Sequence, residues 1–288
     1  MGNESMGDIR TLTPEEHWRH FELSWQALQS YTYLGKGTPF LDTGVDAEEM
    51  PLRHDMRNST GGIMAAPLCI ASPEPYWRDD ECVPAPVTMC YDILDPGYDV
   101  KRIHVIRDVI NFGRQMGFSR SRIVDASDHS RVLAISSGSG VSLGDVPPGF
   151  YLVDNPVNEA PDSPDLPPLR EVFHVHDAAD GSVYIEKVIP ELSSPHSALH
   201  LGPINIAMEA VAGDELVRVT GTPDWQVEQW HVMMVKPGYH GPFVARAVVV
   251  CAASPTGRIG VEVTMTDEGA KGRIIATASA SYRRVVAG

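Results

Sequence analysis

The segment from 196 to 213, HSALHLGPINIAMEAVAG, restricts the fold more than any other part of the chain. Its apolar residues leave almost no polar face, and a helix that is apolar nearly all round is normally enclosed by other structure. One acid, Glu209, interrupts this pattern. A carboxylate in such a helix has either a buried partner or a raised pKa, because desolvation disfavours its charged form. Glu209 is therefore the first candidate for chemistry.

Composition and charge narrow the class of protein. The chain has 288 residues, of which 43% are hydrophobic and 21% charged, as in a globular protein of one large or two ordinary domains. A formal net charge of −15 argues against nucleic acid or a membrane surface as partner, because both attract basic patches. The four cysteines form no CxxC pair, and no signal peptide or long apolar run is present, so we expect a cytoplasmic protein.

Local signals predict a helix followed by strands in each half of the chain. Thr13-Pro14-Glu15-Glu16 is a capping box, which predicts a leading helix over about 13–33. A second, buried helix is predicted from Ile63 to Ala71, with Pro67 as a local fault, and the central helix from about Leu199. Strands are predicted at 87–94, 100–111, 121–127, 131–143, 172–177, 183–189, 226–235, 243–252, 258–266 and 273–282.

The segment 144–168 is rich in Pro and Asp, which is typical of a linker, and it divides the chain into units 1–143 and 169–288. Short matches recur between these units. DPGY at 95–98 is followed 141 positions later by KPGY at 236–239. Asp125 and Asp267 are 142 positions apart, and Gly62 and Gly202, each opening an apolar helix, are 140 apart. These spacings predict a duplicated unit of about 140 residues, with two unrelated α+β domains as the alternative.

An apolar helix followed by four antiparallel strands resembles the hotdog fold, and two such units resemble a double hotdog, an α+β fold in which each central helix is wrapped by a curved antiparallel sheet. A motif strengthens the resemblance. Hotdog acyl-CoA thioesterases of the phenylacetate and 4-hydroxybenzoyl type carry His-Gly-Gly at the start of the central helix and an acid nine residues after the His. Here His200-Leu201-Gly202 is followed by Glu209, and Thr60-Gly61-Gly62 is the counterpart in the first unit, with Cys69 at the acid position.

In that family each site combines the helix start of one unit with the acid of the other. The resemblance therefore implies one complete site, in which the N–H groups of Gly61 and Gly62 stabilise an oxyanion and Glu209 attacks the carbonyl or activates water. His54, at the position of the family's orienting amide, or the nearby Asn58 would orient the thioester. Structural roles are the alternatives: Glu209 pairing with a neighbour or capping it, the two glycines packing tightly, His200 packing or capping, His54 filling a strand, and Cys69 filling the core.

We expect the acyl chain to lie between the two helices, against Ile63, Met64, Ile204 and Met208, with His200 beside it. Arg114, Arg120 and Arg122 could hold the phosphates of coenzyme A, which would enter only as part of the substrate; solvated surface charge is the alternative. No separate cofactor or metal is expected, because His174 and His176 share a strand face without a third ligand.

The resemblance implies a thioesterase acting on an acyl-CoA or an acyl-carrier thioester. A hotdog protein that binds an acyl or other hydrophobic ligand without turnover is a second hypothesis. A hydratase or dehydratase is a third, although no Asp and His motif of that kind is present. We also expect a homodimer of double hotdogs.

Overall fold

The computed structural model describes residues 28–37, 46, 48–72, 84–113, 115–142, 161–194, 197–251 and 257–285. Its helices are α1 (Gln29–Thr32), α2 (Ala65–Ala71), α3 (Leu169–Val172) and α4 (Leu201–Thr220). Its strands are β1 (Glu49–Pro51), β2 (Pro84–Ile93), β3 (Arg102–Phe112), β4 (Met116–Asp125), β5 (Asp128–Ser142), β6 (His176–Asp177), β7 (Val183–Ile185), β8 (Trp225–Met234), β9 (Phe243–Cys251), β10 (Arg258–Asp267) and β11 (Arg273–Arg284).

All of these strands belong to one antiparallel sheet with the order β1-β3-β4-β5-β2-β8-β11-β10-β9-β7-β6. Strand β2 is followed outward by β5, β4, β3 and β1, and β8 is followed outward by β11, β10, β9, β7 and β6. In both halves, therefore, the strand next to the central β2–β8 pair is the last one of that half, and the earlier strands lie progressively farther out. Cys90 of β2 lies opposite His231 of β8 at the middle of this pair. The predicted combination of helices and an antiparallel sheet is therefore confirmed.

Helix α4 is the central helix of the fold. It begins after His200, the N-cap, and ends at Gly221, whose φ of 74° is a left-handed conformation that glycine adopts without steric cost. The helix packs on β7, β9 and β10 and contacts α2. Inside the protein, the Trp230 indole N–H donates a hydrogen bond of 3.0 Å to the Asn205 side-chain oxygen, which ties α4 to β8.

Helix α2 differs from the prediction at its start. It begins at Ala65, two residues after the predicted start at Ile63. Pro67 is the third residue of the helix, and the N–H groups of a first turn have no acceptor within the helix, so the missing donor costs nothing. Pro67 is therefore a first-turn residue and not a fault in the helix.

One strand prediction was wrong. The strand predicted at 172–177 is replaced by the helical turn α3 and the two-residue β6. The preceding Pro167-Pro168 explains this, because proline presets a φ angle that suits the beginning of a helix. Residues 13–27 of the predicted leading helix and 144–160 of the predicted linker lie outside the described residues. No helix in the described ranges is long and apolar enough to cross a membrane.

Candidate active site

The carboxylate of Glu209 lies at the beginning of α2. Its two oxygens accept hydrogen bonds of 2.7 Å each from the backbone N–H groups of Ala65 and Ala66. Both donors belong to the first helical turn, where N–H groups have no acceptor within the helix and the helix dipole is positive. Met64, the N-cap, supplies no side-chain acceptor. A residue from α4 therefore caps α2, across more than 140 positions of sequence.

Burial changes the acidity of this group. Glu209 is 7% exposed, and desolvation raises the pKa of its carboxyl from 4.5 to about 7, although the hydrogen bonds from Ala66 and Ala65 act in the opposite direction. Among the described residues, no cation contributes to this balance. A carboxyl with a pKa near neutrality can accept and return a proton under ordinary conditions, which is what general acid–base catalysis requires.

The beginning of α4 has a different cap. The Nδ1 atom of His200 accepts a hydrogen bond of 3.2 Å from the Gly202 N–H, and the Ser30 hydroxyl of α1 lies 3.0 Å from the same nitrogen. A Cβ added at Gly202 would come within 2.1 Å of that hydroxyl oxygen. The predicted substrate contact at His200 is therefore replaced by a capping role beneath α1, and Gly202 is needed for the close approach of Ser30.

The two helix starts match each other at a separation of 136 residues, not 140. A 3-10 turn (His54–Met56) and its counterpart (Pro190–Leu192) precede them at this spacing, and so do the isolated bridges from Arg57 to Ile63 and from Ser193 to Leu199. Pro67 and Pro203 are both third in their helices. This register pairs Ala66 with Gly202. The sequence alignment of Gly62 with Gly202, and of Cys69 with Glu209, was wrong.

Gly61 and Gly62 belong to the turn before α2. Gly61 has a φ of 83°, and its N–H donates to the Asn58 carbonyl at 2.9 Å. Gly62 makes room for Gln226 of β8, because a Cβ at this position would lie 1.9 Å from the Gln226 side-chain oxygen. These contacts use the glycines for the turn and for packing. The helix donors that meet a carboxylate are those of Ala65 and Ala66 instead.

Gln226 organises the polar side chains of this turn. Its side-chain oxygen accepts hydrogen bonds of 2.9 Å from the Asn58 amide and from the Thr60 hydroxyl. Its amide donates to the carbonyl groups of Ile63 and Val227, each at 3.1 Å. Asn58 is thus held by Gln226 beside the cavity described next. Gln226 was not among the predicted site residues, since nothing in its local pattern distinguishes it from other strand residues.

A cavity of about 520 Å³ opens beside Glu209. Of the predicted site residues, the cavity brings together Glu209, Asn58, Met64 and the exposed His54. The main-chain N–H of His54 donates a hydrogen bond of 2.7 Å to Asp162. Apolar side chains form much of the remaining wall, among them Ile206, Leu216, Trp225, Leu166 and Leu169.

The predicted acyl-chain contacts are only partly at this cavity. Met64 lines it, whereas Ile63, Ile204 and Met208 are buried elsewhere and do not. The reason is the helical period of α4. Residues 206, 209, 210, 213 and 217 follow one stripe of the helix, and residues 204 and 208 lie on the opposite side. The apolar sequence of α4 gave no indication of which stripe faces the open space.

Tyr282 of β11 also lines the cavity and was not predicted. It is 4% exposed, and its hydroxyl has no hydrogen-bond partner among the residues that the structure describes. Burial and the nearby charge of Glu209 both raise the pKa of this hydroxyl well above 10. Inward-facing Ala276, Ala278 and Ala280 precede it along the strand. This alternation indicates burial, but nothing in the sequence indicates the cavity.

The arginines that we expected at coenzyme A phosphates are not at this cavity. Arg120 of β4 forms an exposed ion pair with Asp108 on the neighbouring strand, with a shortest distance of 2.7 Å, and neither it nor Arg122 lines the cavity. Arg114 lies outside the described residues. The arginines that do line the cavity are Arg57, which donates to three backbone carbonyls, and Arg170, which pairs with Asp177 and Asp214.

Cys69 lies in α2 with its side chain fully buried. Desolvation, with a further contribution from Glu209, raises the pKa of its thiol well above 9. A thiol in such surroundings stays protonated and is a poor nucleophile. Cys69 therefore has the properties of a small core residue. Within the described ranges, no three His, Cys, Asp or Glu side chains are grouped as a metal site would require.

Comparisons with known proteins identify the fold. No protein-family model and no curated protein matches the sequence. Among solved structures, an acyl-CoA thioesterase II from Mycobacterium marinum matches with a TM-score of 0.54 and 11% identity, over 85% of this chain and 95% of the other. A 12:0-ACP thioesterase from Umbellularia californica matches with a TM-score of 0.53 and 9% identity, over 82% and 93%.

A conserved protein with a hot dog fold from Alicyclobacillus acidocaldarius also matches, with a TM-score of 0.53 and 9% identity, over 85% of this chain and 96% of the other. At such identities, structural similarity establishes the fold and leaves the activity open. The antiparallel sheet, the enclosed helix α4 and these similarities agree with the resemblance that the sequence motif indicated. The chain has a hotdog fold, like that of the thioesterases it matches.

Proposed function

We propose that the chain hydrolyses an acyl thioester, an acyl-CoA or an acyl-carrier thioester, at a single site between its two halves, and that these halves are a double hotdog derived from a duplicated unit. The observation that carries the proposal is the Glu209 carboxylate, buried at the wall of a cavity with a pKa of about 7. The names of the matching solved structures support it. The equal order of strands on either side of the β2–β8 pair supports the duplication.

In the proposed reaction, Glu209 acts as a general base. Its carboxylate takes a proton from water as the water oxygen attacks the thioester carbon, and the carbonyl becomes an oxyanion. When the oxyanion collapses, the carbon–sulfur bond breaks and the thiolate receives the proton from Glu209. The products are a carboxylic acid and a free thiol. The Ala65 and Ala66 N–H groups hold the carboxylate in place for these transfers.

The first experiment measures the release of free thiol from a panel of short, long and aromatic acyl-CoAs and acyl-carrier thioesters. We expect Glu209→Gln to lower kcat by about 10²-fold or more, because an amide cannot take the proton. Glu215→Gln is the matched control, since Glu215 lies on the same helix, does not line the cavity and pairs with Arg218. Equal hydrolysis by wild type and Glu209→Gln would refute the assignment of the base.

One observation favours a second function, the binding of an acyl or other hydrophobic ligand without turnover. The Ala65 and Ala66 N–H groups of α2 donate to Glu209, and the Gly202 N–H of α4 donates to His200, so these first-turn donors are not free for an oxyanion. Saturable binding of a fatty acid with no thiol release across the whole panel would support this function. Trp225, which lines the cavity, provides a fluorescence signal for such binding.

A further inference from the structure

The hydroxyl of Tyr282 is a buried donor with no acceptor among the residues that the structure describes. Buried tyrosine hydroxyls almost always find a hydrogen-bond partner, and each exception needs an explanation. Two other buried side-chain atoms among the described residues are also unpartnered, the Nδ1 of His104 and the hydroxyl of Thr277. Neither of these residues lines the cavity, whereas Tyr282 does. An unpaired donor on a residue that lines a cavity is the arrangement expected where a ligand supplies the acceptor.

The surroundings of Tyr282 define what kind of acceptor fits. Glu209 lines the same cavity, and its carboxylate oxygens are already bound by Ala65 and Ala66. Most of the nearby wall is apolar, with Ile206, Leu216 and Trp225. A single donor in an apolar setting suits one carbonyl oxygen attached to an apolar chain. Since the hydroxyl has a raised pKa, it stays protonated and remains a donor.

Other candidate donors beside the cavity are already engaged. An oxyanion needs at least one hydrogen bond aimed at the oxygen where charge develops. The first-turn N–H groups of α2 hold Glu209, and the side-chain amide of Asn58 donates to Gln226. We infer that Tyr282 is a catalytic residue, an inference that rests on the proposed function. Its hydroxyl donates a hydrogen bond to the carbonyl oxygen of the bound acyl thioester and stabilises the oxyanion.

The inferred step needs no additional reactant. As water attacks, the carbonyl electron pair moves to the oxygen, and the Tyr282 hydroxyl donates to that oxygen without giving up its proton. As the oxyanion collapses, the electron pair returns, the carbon–sulfur bond breaks, and the hydrogen bond weakens to that of a neutral carbonyl. Glu209 handles the only proton that is transferred. Tyr282 thus acts more strongly on the oxyanion than on the bound substrate.

The test is Tyr282→Phe, which removes one oxygen and keeps the ring in its place. We expect kcat to fall about 100-fold and KM to rise by up to about tenfold, because the lost hydroxyl stabilises the oxyanion more strongly than the carbonyl of the bound substrate. The melting temperature should stay equal or rise, since no hydrogen bond within the protein is lost. Tyr239→Phe, at a half-exposed tyrosine away from the cavity, is the control. A kcat within twofold of wild type would overturn the inference.

A binding experiment separates this inference from the proposed function. The probe is an acyl-CoA analogue in which a methylene group replaces the sulfur, so that the carbonyl remains and hydrolysis is impossible. Calorimetry should show a Kd about tenfold higher for Tyr282→Phe than for wild type, whether or not the protein turns over a thioester. An equal Kd in the two proteins, or no binding to wild type, contradicts the role of Tyr282. Unchanged hydrolysis in Glu209→Gln contradicts only the assigned base.

Discussion

Glu209 fits both interpretations that the sequence allowed, a structural helix cap and a catalytic carboxylate. Capping a neighbouring helix was the structural alternative, and its carboxylate does cap α2. The same two hydrogen bonds hold the carboxylate at the wall of the cavity. Burial opposes the charge and the N–H groups favour it, so the pKa settles near neutrality. A structural cap is therefore no argument against a role in catalysis.

Glu209 should make the stability of the protein depend on pH. Folding raises its pKa from 4.5 to about 7, so the folded state holds the proton more tightly than the unfolded state. The stabilisation is complete at and below pH 4.5 and is lost as the pH rises to about 7. A shift of this size corresponds to roughly 3 kcal/mol in the free energy of unfolding.

Urea unfolding across that pH range measures the effect. Wild type should lose roughly 3 kcal/mol more than Glu209→Gln as the pH rises, because glutamine does not titrate. The comparison concerns the dependence on pH, so a constant difference in stability between the two proteins does not affect it. Parallel curves for the two proteins would show that Glu209 ionises in the folded state as easily as in the unfolded one.

At the scale of elements, both helix starts depend on groups outside their own N-cap segment. Helix α2 is capped by α4 through Glu209, and Gln226 of β8 packs on the turn before it. Helix α4 is capped by His200, which in turn contacts Ser30 of α1. These contacts explain the glycines at the two helix starts. Gly62 and Gly202 each leave the space that a neighbouring polar side chain occupies.

Gly62→Ala should therefore destabilise the turn before α2. The added methyl group would lie 1.9 Å from the side-chain oxygen of Gln226 and would displace it from Asn58 and Thr60. We expect the free energy of unfolding to fall by about 1–3 kcal/mol. In the matched control Gly213→Ala, nothing lies within 4 Å of the added atom on α4. That change should raise stability by up to about 1 kcal/mol, through helix propensity.

Urea denaturation of the two variants beside wild type measures both changes. The opposite signs distinguish the clash at Gln226 from a general effect of replacing glycine by alanine. Equal stability of Gly62→Ala and wild type would mean that Gln226 is free to move aside, and that Gly62 is not required for packing.

At the scale of the whole molecule, one sheet joins the two halves. The central β2–β8 pair runs from Thr88 opposite Met233 to Asp92 opposite Gln229. The buried side chains of Tyr91 and Trp230 face each other across this pair, and the core beneath it is continuous. The predicted units 1–143 and 169–288 thus share a sheet and a core in the described ranges. The predicted homodimer and the cytoplasmic location remain predictions.

The shared sheet predicts that the two halves unfold together. Separating β2 from β8 would expose the backbone groups of both strands as well as the apolar side chains beneath them. Differential scanning calorimetry should therefore give one transition whose calorimetric enthalpy equals its van't Hoff enthalpy. Two resolved transitions, each with its own enthalpy, would show that the halves are separate cooperative units.

Local sequence patterns were sufficient for the long strands and the central helix. The strands predicted at 87–94, 226–235, 243–252 and 258–266 correspond to β2, β8, β9 and β10 within a few residues. The apolar stretch around Glu209 correctly predicted an enclosed helix, because a helix with apolar residues on all sides is buried. The resemblance drawn from the same stretch led to the hotdog fold that the solved structures support.

The tertiary structure decided which groups meet. Glu209 contacts donors 143 and 144 positions away, and the spacing of 136 at the helix starts differs from that of the strands, so no single alignment offset could pair them. Tyr282 reaches the cavity because β11 ends beside it, which its alternating pattern does not reveal. The sequence by itself determined the elements and a buried acid, since these depend on neighbouring residues. The donors facing that acid depend on packing between distant segments.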